Sequence, residues 1–203
     1  GKTTLIKMLS CLTKPTSGDA LLFGKSILTE TQQVKELIAV SPQETAIAPN
    51  LTVRENLELM AGVHGFNKEK TKLKTDELIR KFSLQPFEKQ RSKTLSGGWK
   101  RRLSIAMALI SEPNILFLDE PTLGLDVLAR KELWTVIEKL KETTTIILTT
   151  HYLEEAEALS NRICIMKDGQ IKAIGSASEL IEKANSTRFE DAFIKFVSDG
   201  DGE

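Results

Sequence analysis

The stretch "NILFLDEPT" places two adjacent carboxylates, Asp119 and Glu120, directly after an unbroken apolar run. Such a run has the length and character of a strand buried on both faces of a parallel sheet. In open sheets of that kind, ligands sit beyond the strand C-termini. Two neighbouring carboxylates at a dry strand end repel each other and lose hydration, which is unfavourable without a cation or a proton. A phosphate-bound Mg²⁺ answers that need. Asp119 is then expected to hold the metal through water, and Glu120 to act on an attacking water as general base or to orient it.

Two glycine-bearing stretches offer complementary chemistry. The chain opens on "GKTT", and Gly1, Lys2 and Thr3 match the end of the phosphate loop written G-x-x-x-x-G-K-[ST]. There the backbone N–H groups at a helix N-terminus face phosphate oxygens, Lys2 reaches the terminal phosphates, and the Thr3 hydroxyl ligates Mg²⁺. Further along, "LSGGWKRRLSIAMALI" sets Ser96, Gly97 and Gly98 ahead of a long helical pattern. That is a second helix N-terminus with free N–H groups and a hydroxyl, suited to an anion. Taken singly, either stretch also fits an ordinary helix start.

The elements that must position these groups alternate strand with helix, which predicts a largely parallel α/β core. A helix is expected from about Thr3 to Leu12, with Leu5, Met8, Leu9 and Leu12 on one face. "DALLFG" reads as a strand entering a turn, and "LIAVSPQ" as a buried strand ending at Pro42. From about Val53 to Phe87 the pattern turns polar and helical, as an insertion outside the sheet. "TTTIILTTH" is expected to repeat the buried-strand character of "NILFLD". "RICIMKDGQIKAIG" reads as a hairpin turning at Asp168-Gly169. Two short helices follow, Ser178 to Ala184 and Phe189 to Val197, before the acidic "SDGDGE", read as a frayed end.

Composition narrows the field. Lys plus Arg and Asp plus Glu are 28 each, so bulk charge gives no reason to expect nucleic acid as a partner. No apolar run approaches the roughly 18 residues needed to span a bilayer. Cys11 and Cys164 lack metal-ligand spacing and are expected to be small buried hydrophobes. His64, near Gly62 and Gly65 in the helical insertion, is expected at the surface.

In combination, the motifs resemble the nucleotide-binding subunit of an ATP-binding-cassette (ABC) transporter. "GKTT" is similar to the end of that family's phosphate loop, and "VSPQETAIAPNLTVREN" to its glutamine loop at Gln43. "LSGGWKRRLSIAMALI" resembles the family signature and "ILFLDEP" its magnesium strand. "LGLD" resembles its aspartate loop at Asp126, and "LTTH" its switch histidine at His151. The resemblance runs in family order over essentially the whole chain. It is most pronounced toward the ATPases of bacterial ABC-2-type exporters, through "KRRLSIAMALI", "PTLGLD", "THYLEEAEALSNRICIM" and "FEDAFIKF".

That resemblance implies an α/β P-loop fold: a mostly parallel sheet flanked by helices, as a single domain over 1–203, with a helical subdomain at about 50–112. It implies that the first strand and most of the phosphate loop are missing, with the residue that stacks on adenine. The chain alone is accordingly expected to bind ATP poorly. The implied cofactors are ATP and Mg²⁺. Gly1, Lys2, Thr3, Thr4, Gln43, Ser96, Gly97, Gly98, Asp119 and Asp126 would contact the nucleotide, with Thr3, Gln43 and Asp119 at the metal. Glu120 and His151 would be catalytic. The implied partners are a second ABC ATPase subunit, the same chain or a relative, and a transmembrane permease docking near Gln43 and the helical subdomain. The implied location is the cytoplasm, against the inner face of the membrane, in an exporter. An importer ATPase, or a cassette ATPase serving translation or DNA, is the competing reading. The gap between Gln43 and the signature holds no sustained heptads, unlike the long coiled coils of DNA-linked members. Two positions depart from the family pattern. Trp99 stands where Gln is common and is expected to pack against neighbouring helices; Val127 follows Asp126 where proline is frequent.

Overall fold

The apolar run "ILFLD" is strand β4 (Ile115–Asp119), and all five of its residues are buried. This computed structural model describes residues 1–198. The elements before β4 are α1 (Lys2–Leu9), β1 (Leu21–Leu22), β2 (Lys25–Ser26), α2 (Thr31–Leu37), β3 (Ile38–Ser41), α3 (Val53–Val63), α4 (Lys68–Lys81) and α5 (Gly97–Ala108). After it come α6 (Val127–Leu140), β5 (Thr145–Thr149), α7 (Leu153–Leu159), β6 (Ile163–Lys167), β7 (Gln170–Gly175), α8 (Ala177–Lys183) and α9 (Phe189–Ser198). The segment read from sequence as a frayed acidic end lies, beyond Ser198, outside the described residues.

The chain divides into two compact units. The larger runs from Met8 to Leu148. In it β3 pairs parallel with β4, with Ser41 opposite Leu118, and the strand order is β3-β4-β5. Phe117, Leu103, Ile105, Leu133 and Ile137 are among its fully buried side chains. The strand read in "DALLFG" is β1, which turns at Phe23-Gly24 and pairs antiparallel with β2. The polar stretch read as helical from Val53 holds two α-helices and short 3-10 turns. Helix α3 begins in a capping box of Thr52 and Glu55, and α4 begins at an Asn67 cap. Arg54 on α3 ties the insertion together, reaching Asp76 on α4 at 2.6 Å and Glu88 at 2.6 Å. The second unit comprises Gly1–Lys7 and the chain from Thr149 onward. Its core joins Ile163 and Ile165 of β6 to Leu180 of α8 and Phe189 of α9. Asp168 and Gly169 both take left-handed conformations (φ 52° and 79°), the pair a tight two-residue hairpin requires.

Three expectations need correction. Helix α1 stops at Leu9, and Leu12 lies beyond it, 65% exposed. The chain turns out of the helix at Cys11, whose φ is 57°. Strand β5 is only half-buried along most of its length, because it sits at the end of the described three-stranded sheet while β4 has a neighbour on each side. Cys164 is exposed and Cys11 half-buried. Strand period explains the first: Ile163 and Ile165 point into the core, so Cys164 between them must point out.

Candidate functional site

Strand β4 delivers its two carboxylates into different settings. Asp119 ends the strand and is buried at 5% exposure. Glu120 is half-buried and takes a left-handed backbone (φ 48°), with its carbonyl accepting from Leu123 N at 3.2 Å. A side chain with a Cβ adopts that conformation at a cost of about 1–2 kcal/mol. The reversal breaks the strand's alternation immediately after Asp119, so the two carboxylates leave the strand end on different paths.

The signature residues cap a long helix. Ser96 is the N-cap of α5, and its side chain makes no capping hydrogen bond. Its hydroxyl is therefore not spent on its own helix, and Ser96 and Gly97 are exposed. The glycines also permit close packing. A Cβ at Gly98 would lie 3.2 Å from the Ala129 Cβ, and one at Gly97 would lie 3.6 Å from Leu125 Cδ2. The signature and the aspartate loop are thus brought together. Asp126 itself caps α6, accepting from Ala129 N at 2.9 Å. Trp99 packs as expected: its ring lies 4.5 Å from that of Phe87, and the Arg102 guanidinium lies over the Trp99 ring at 4.6 Å. Arg102 continues to Glu132 of α6 at 2.8 Å.

Gln43 follows β3 and is exposed. Its carbonyl and that of Pro42 accept from the two terminal nitrogens of Arg101, at 2.6 and 2.7 Å. Arg101 is 5% exposed. Burial pushes its guanidinium below the ordinary arginine range, and the Asp119 carboxylate works against that shift. The strain on a carboxylate at a dry strand end is thus partly offset by a cation belonging to the chain itself. Sequence reading passed over Arg101. The available signal was a pair of arginines inside the apolar helical run "RRLSIAMALI", where a buried charge must have partners.

The remaining predicted residues lie in the other unit. Lys2, Thr3 and Thr4 form the first turn of α1, with Lys2 and Thr4 exposed and Leu5 N donating to the Gly1 carbonyl at 3.0 Å. Gly1 packs against the hairpin turn, where an added Cβ would lie 3.3 Å from the Gly169 Cα. His151 follows β5, exposed, with its ring 4.1 Å from that of Tyr152. His64 is exposed, as expected.

Residues 1–123 match the family model described as ABC transporter. The chain belongs to the ABC transporter family. It is 40% identical over 188 residues to the doxorubicin resistance ATP-binding protein DrrA of Mycobacterium tuberculosis, covering 92% of this chain and 57% of that protein. It is 38% identical to the daunorubicin resistance ATP-binding protein DrrA3 of Streptomyces coeruleorubidus, covering 94% of this chain and 60% of that one. The human phospholipid-transporting ATPase ABCA3 is 38% identical over 90% of this chain, which spans 11% of that protein. The chain therefore spans under two thirds of the curated relatives it matches. Among solved structures, the ATP-binding subunit of an ABC transporter superposes with a TM-score of 0.81 at 26% identity, over 97% of this chain and 83% of that one. A dimeric post-hydrolysis state of the ATP-binding cassette MJ0796, bound to ADP and Pi, gives 0.74 at 26% identity, over 87% and 80%. The fold is that of the ABC ATPases, and the likeness to bacterial drug-export ATPases read from the sequence agrees with these relatives.

The donor set fits a magnesium nucleotide. No group of three or more His, Cys, Asp or Glu suited to a metal occurs among the described residues. Mg²⁺ rarely uses such a cage; it takes one or two carboxylates beside substrate phosphates and keeps several waters. A single buried carboxylate, Asp119, suits that habit. No helix among the described residues is long and apolar enough to cross a membrane.

Proposed function

We propose that this chain is the ATP-binding and ATP-hydrolysing part of a membrane exporter, working at the cytoplasmic face of the membrane. The observation that carries the reading is the end of β4, where a buried Asp119 is followed by a half-buried Glu120 held in a left-handed turn. ATP with Mg²⁺ supplies the transferable phosphoryl group and the positive charge that these carboxylates need.

The chain's residues divide the work. Lys2 and the N–H groups of the first turn of α1 neutralise phosphate charge, with Gly1 and Thr4 lining that turn. Thr3, Gln43 and Asp119 would hold the metal. Glu120 orients the attacking water and takes its proton, work worth about 10² to 10⁴ in rate. His151 would donate to a terminal phosphate oxygen. Ser96, Gly97 and Gly98 of one subunit donate to the phosphate held by a second ATPase subunit, and Asp126 lines the same junction. The unspent Ser96 hydroxyl at the start of α5 supports this division. Closure of two subunits then depends on a ligand that bridges them, and hydrolysis removes that preference.

Within a single cassette domain, the helical stretch at about 50–112 is the proposed seat of the transmembrane permease. Leu59 and Val63 lie one turn apart on α3 and are 50% and 70% exposed, and Leu73 on α4 is 60% exposed. The test is ATP turnover by the full-length protein. Glu120→Gln should lower it by about two orders of magnitude or more while nucleotide binding persists. Turnover unchanged in that variant would remove Glu120 from the mechanism.

A further inference from the structure

Arg101 occupies the second turn of α5, on the helix that Ser96 caps. Its two terminal nitrogens each donate to a different carbonyl, Pro42 at 2.7 Å and Gln43 at 2.6 Å. These carbonyls follow β3 directly. One turn later, the Ser104 hydroxyl lies 3.1 Å from that of Ser41, the last residue of β3. The same helix therefore grips the same strand end at two points. Strand register adds a third relation. Ser41 lies opposite Leu118, so the chain leaves β3 beside Asp119.

We propose that Arg101 is a positioning residue that locks the Pro42–Gln43 backbone to the signature helix and so sets where the Gln43 side chain stands relative to Asp119. With both carbonyls held by the guanidinium, the backbone that carries the exposed Gln43 is fixed. A planar fork can hold two successive carbonyls at once, whereas an ammonium is a point charge without that geometry. The clamp also makes a mechanical link. A displacement of the Ser96 end of α5 carries Arg101 with it and pulls directly on the glutamine loop. The metal-related part of this inference rests on the ATPase reading above; the clamp itself does not.

The test compares full-length wild type, Arg101→Lys and Arg101→Met by hydrogen–deuterium exchange and by the Mg²⁺ dependence of ATP hydrolysis. Both variants are expected to speed amide exchange at residues 43–47 about tenfold, leaving Leu103–Met107 protected. Both are expected to raise the Mg²⁺ concentration for half-maximal turnover about tenfold, with metal-free ATP binding within twofold of wild type. A purely structural arginine would instead lower thermal stability and loosen all of α5 without a selective Mg²⁺ effect. If Arg101→Met fails to fold, Arg101→Lys decides the matter. Unchanged exchange at 43–47 in a folded Arg101→Lys overturns the clamp. Faster exchange with an unchanged Mg²⁺ dependence overturns its role in positioning Gln43. A wild type that hydrolyses no ATP overturns the ATPase reading, and the exchange data still judge the clamp.

Discussion

Asp76 shows how one side chain can carry a pH-dependent part of stability. The Arg54 guanidinium beside it holds its carboxyl below the usual carboxylate range. Its contribution is therefore present above the unfolded value near about 3.9 and is lost as pH falls through the lowered folded value. Between those limits the unfolded state binds more protons, so stability rises with pH. Glu55 and Glu179 act in the same direction, because each accepts the backbone N–H of its own helix cap. Arg54→Met should remove the Asp76 part. Denaturant titrations between pH 3 and 5 should give a shallower slope than wild type, and at pH 7 a loss of about 1–2 kcal/mol for a partly exposed network. An unchanged slope would mean that the Arg54 cluster does not distinguish folded from unfolded chain. At this scale the sequence showed where the candidate residues stand but not what supports them. Asp119, Glu120 and Ser96 were legible because each stands at a sequence boundary between an apolar run and a polar or glycine-rich one. Arg101 was not, because its partners are backbone carbonyls 59 and 58 residues away, and carbonyls leave no mark on a sequence.

Elements were legible where periodicity and end signals agree. Strand β4, helices α3 and α4, and the β6–β7 hairpin all lie where apolar pattern, caps and turn residues place them. Misreadings arose where a later event overrides the local pattern. Apolar spacing carries on through Leu12, yet the reversal at Cys11 ends α1. An apolar run does not report its place in a sheet, so the end strand β5 was read as buried as β4. The hairpin allows a clean test of turn chemistry. Gly169 has φ 79° and open space around it, so Gly169→Ala meets no clash. Its cost is conformational, about 1 kcal/mol, and thermal unfolding should show a drop of a few degrees. Unchanged thermal stability would mean that the turn tolerates another geometry.

For the molecule as a whole, the equal numbers of basic and acidic residues give no bulk electrostatic reason to expect an anionic polymer as partner. The proposed activity is local. It needs a capped helix with an unspent hydroxyl, a dry strand end and an arginine that braces the loop beside it. On the proposed reading it also involves a second subunit, because the Ser96 end of α5 would serve a phosphate held by that subunit. The central claim is that ATP bridges two subunits and that Glu120 ends that state. The most direct measurement is the molar mass of full-length Glu120→Gln in solution, by light scattering, with Mg·ATP and then with Mg·ADP. The account predicts a dimeric ATPase with Mg·ATP and a monomeric one with Mg·ADP. The same mass in both nucleotides would contradict it.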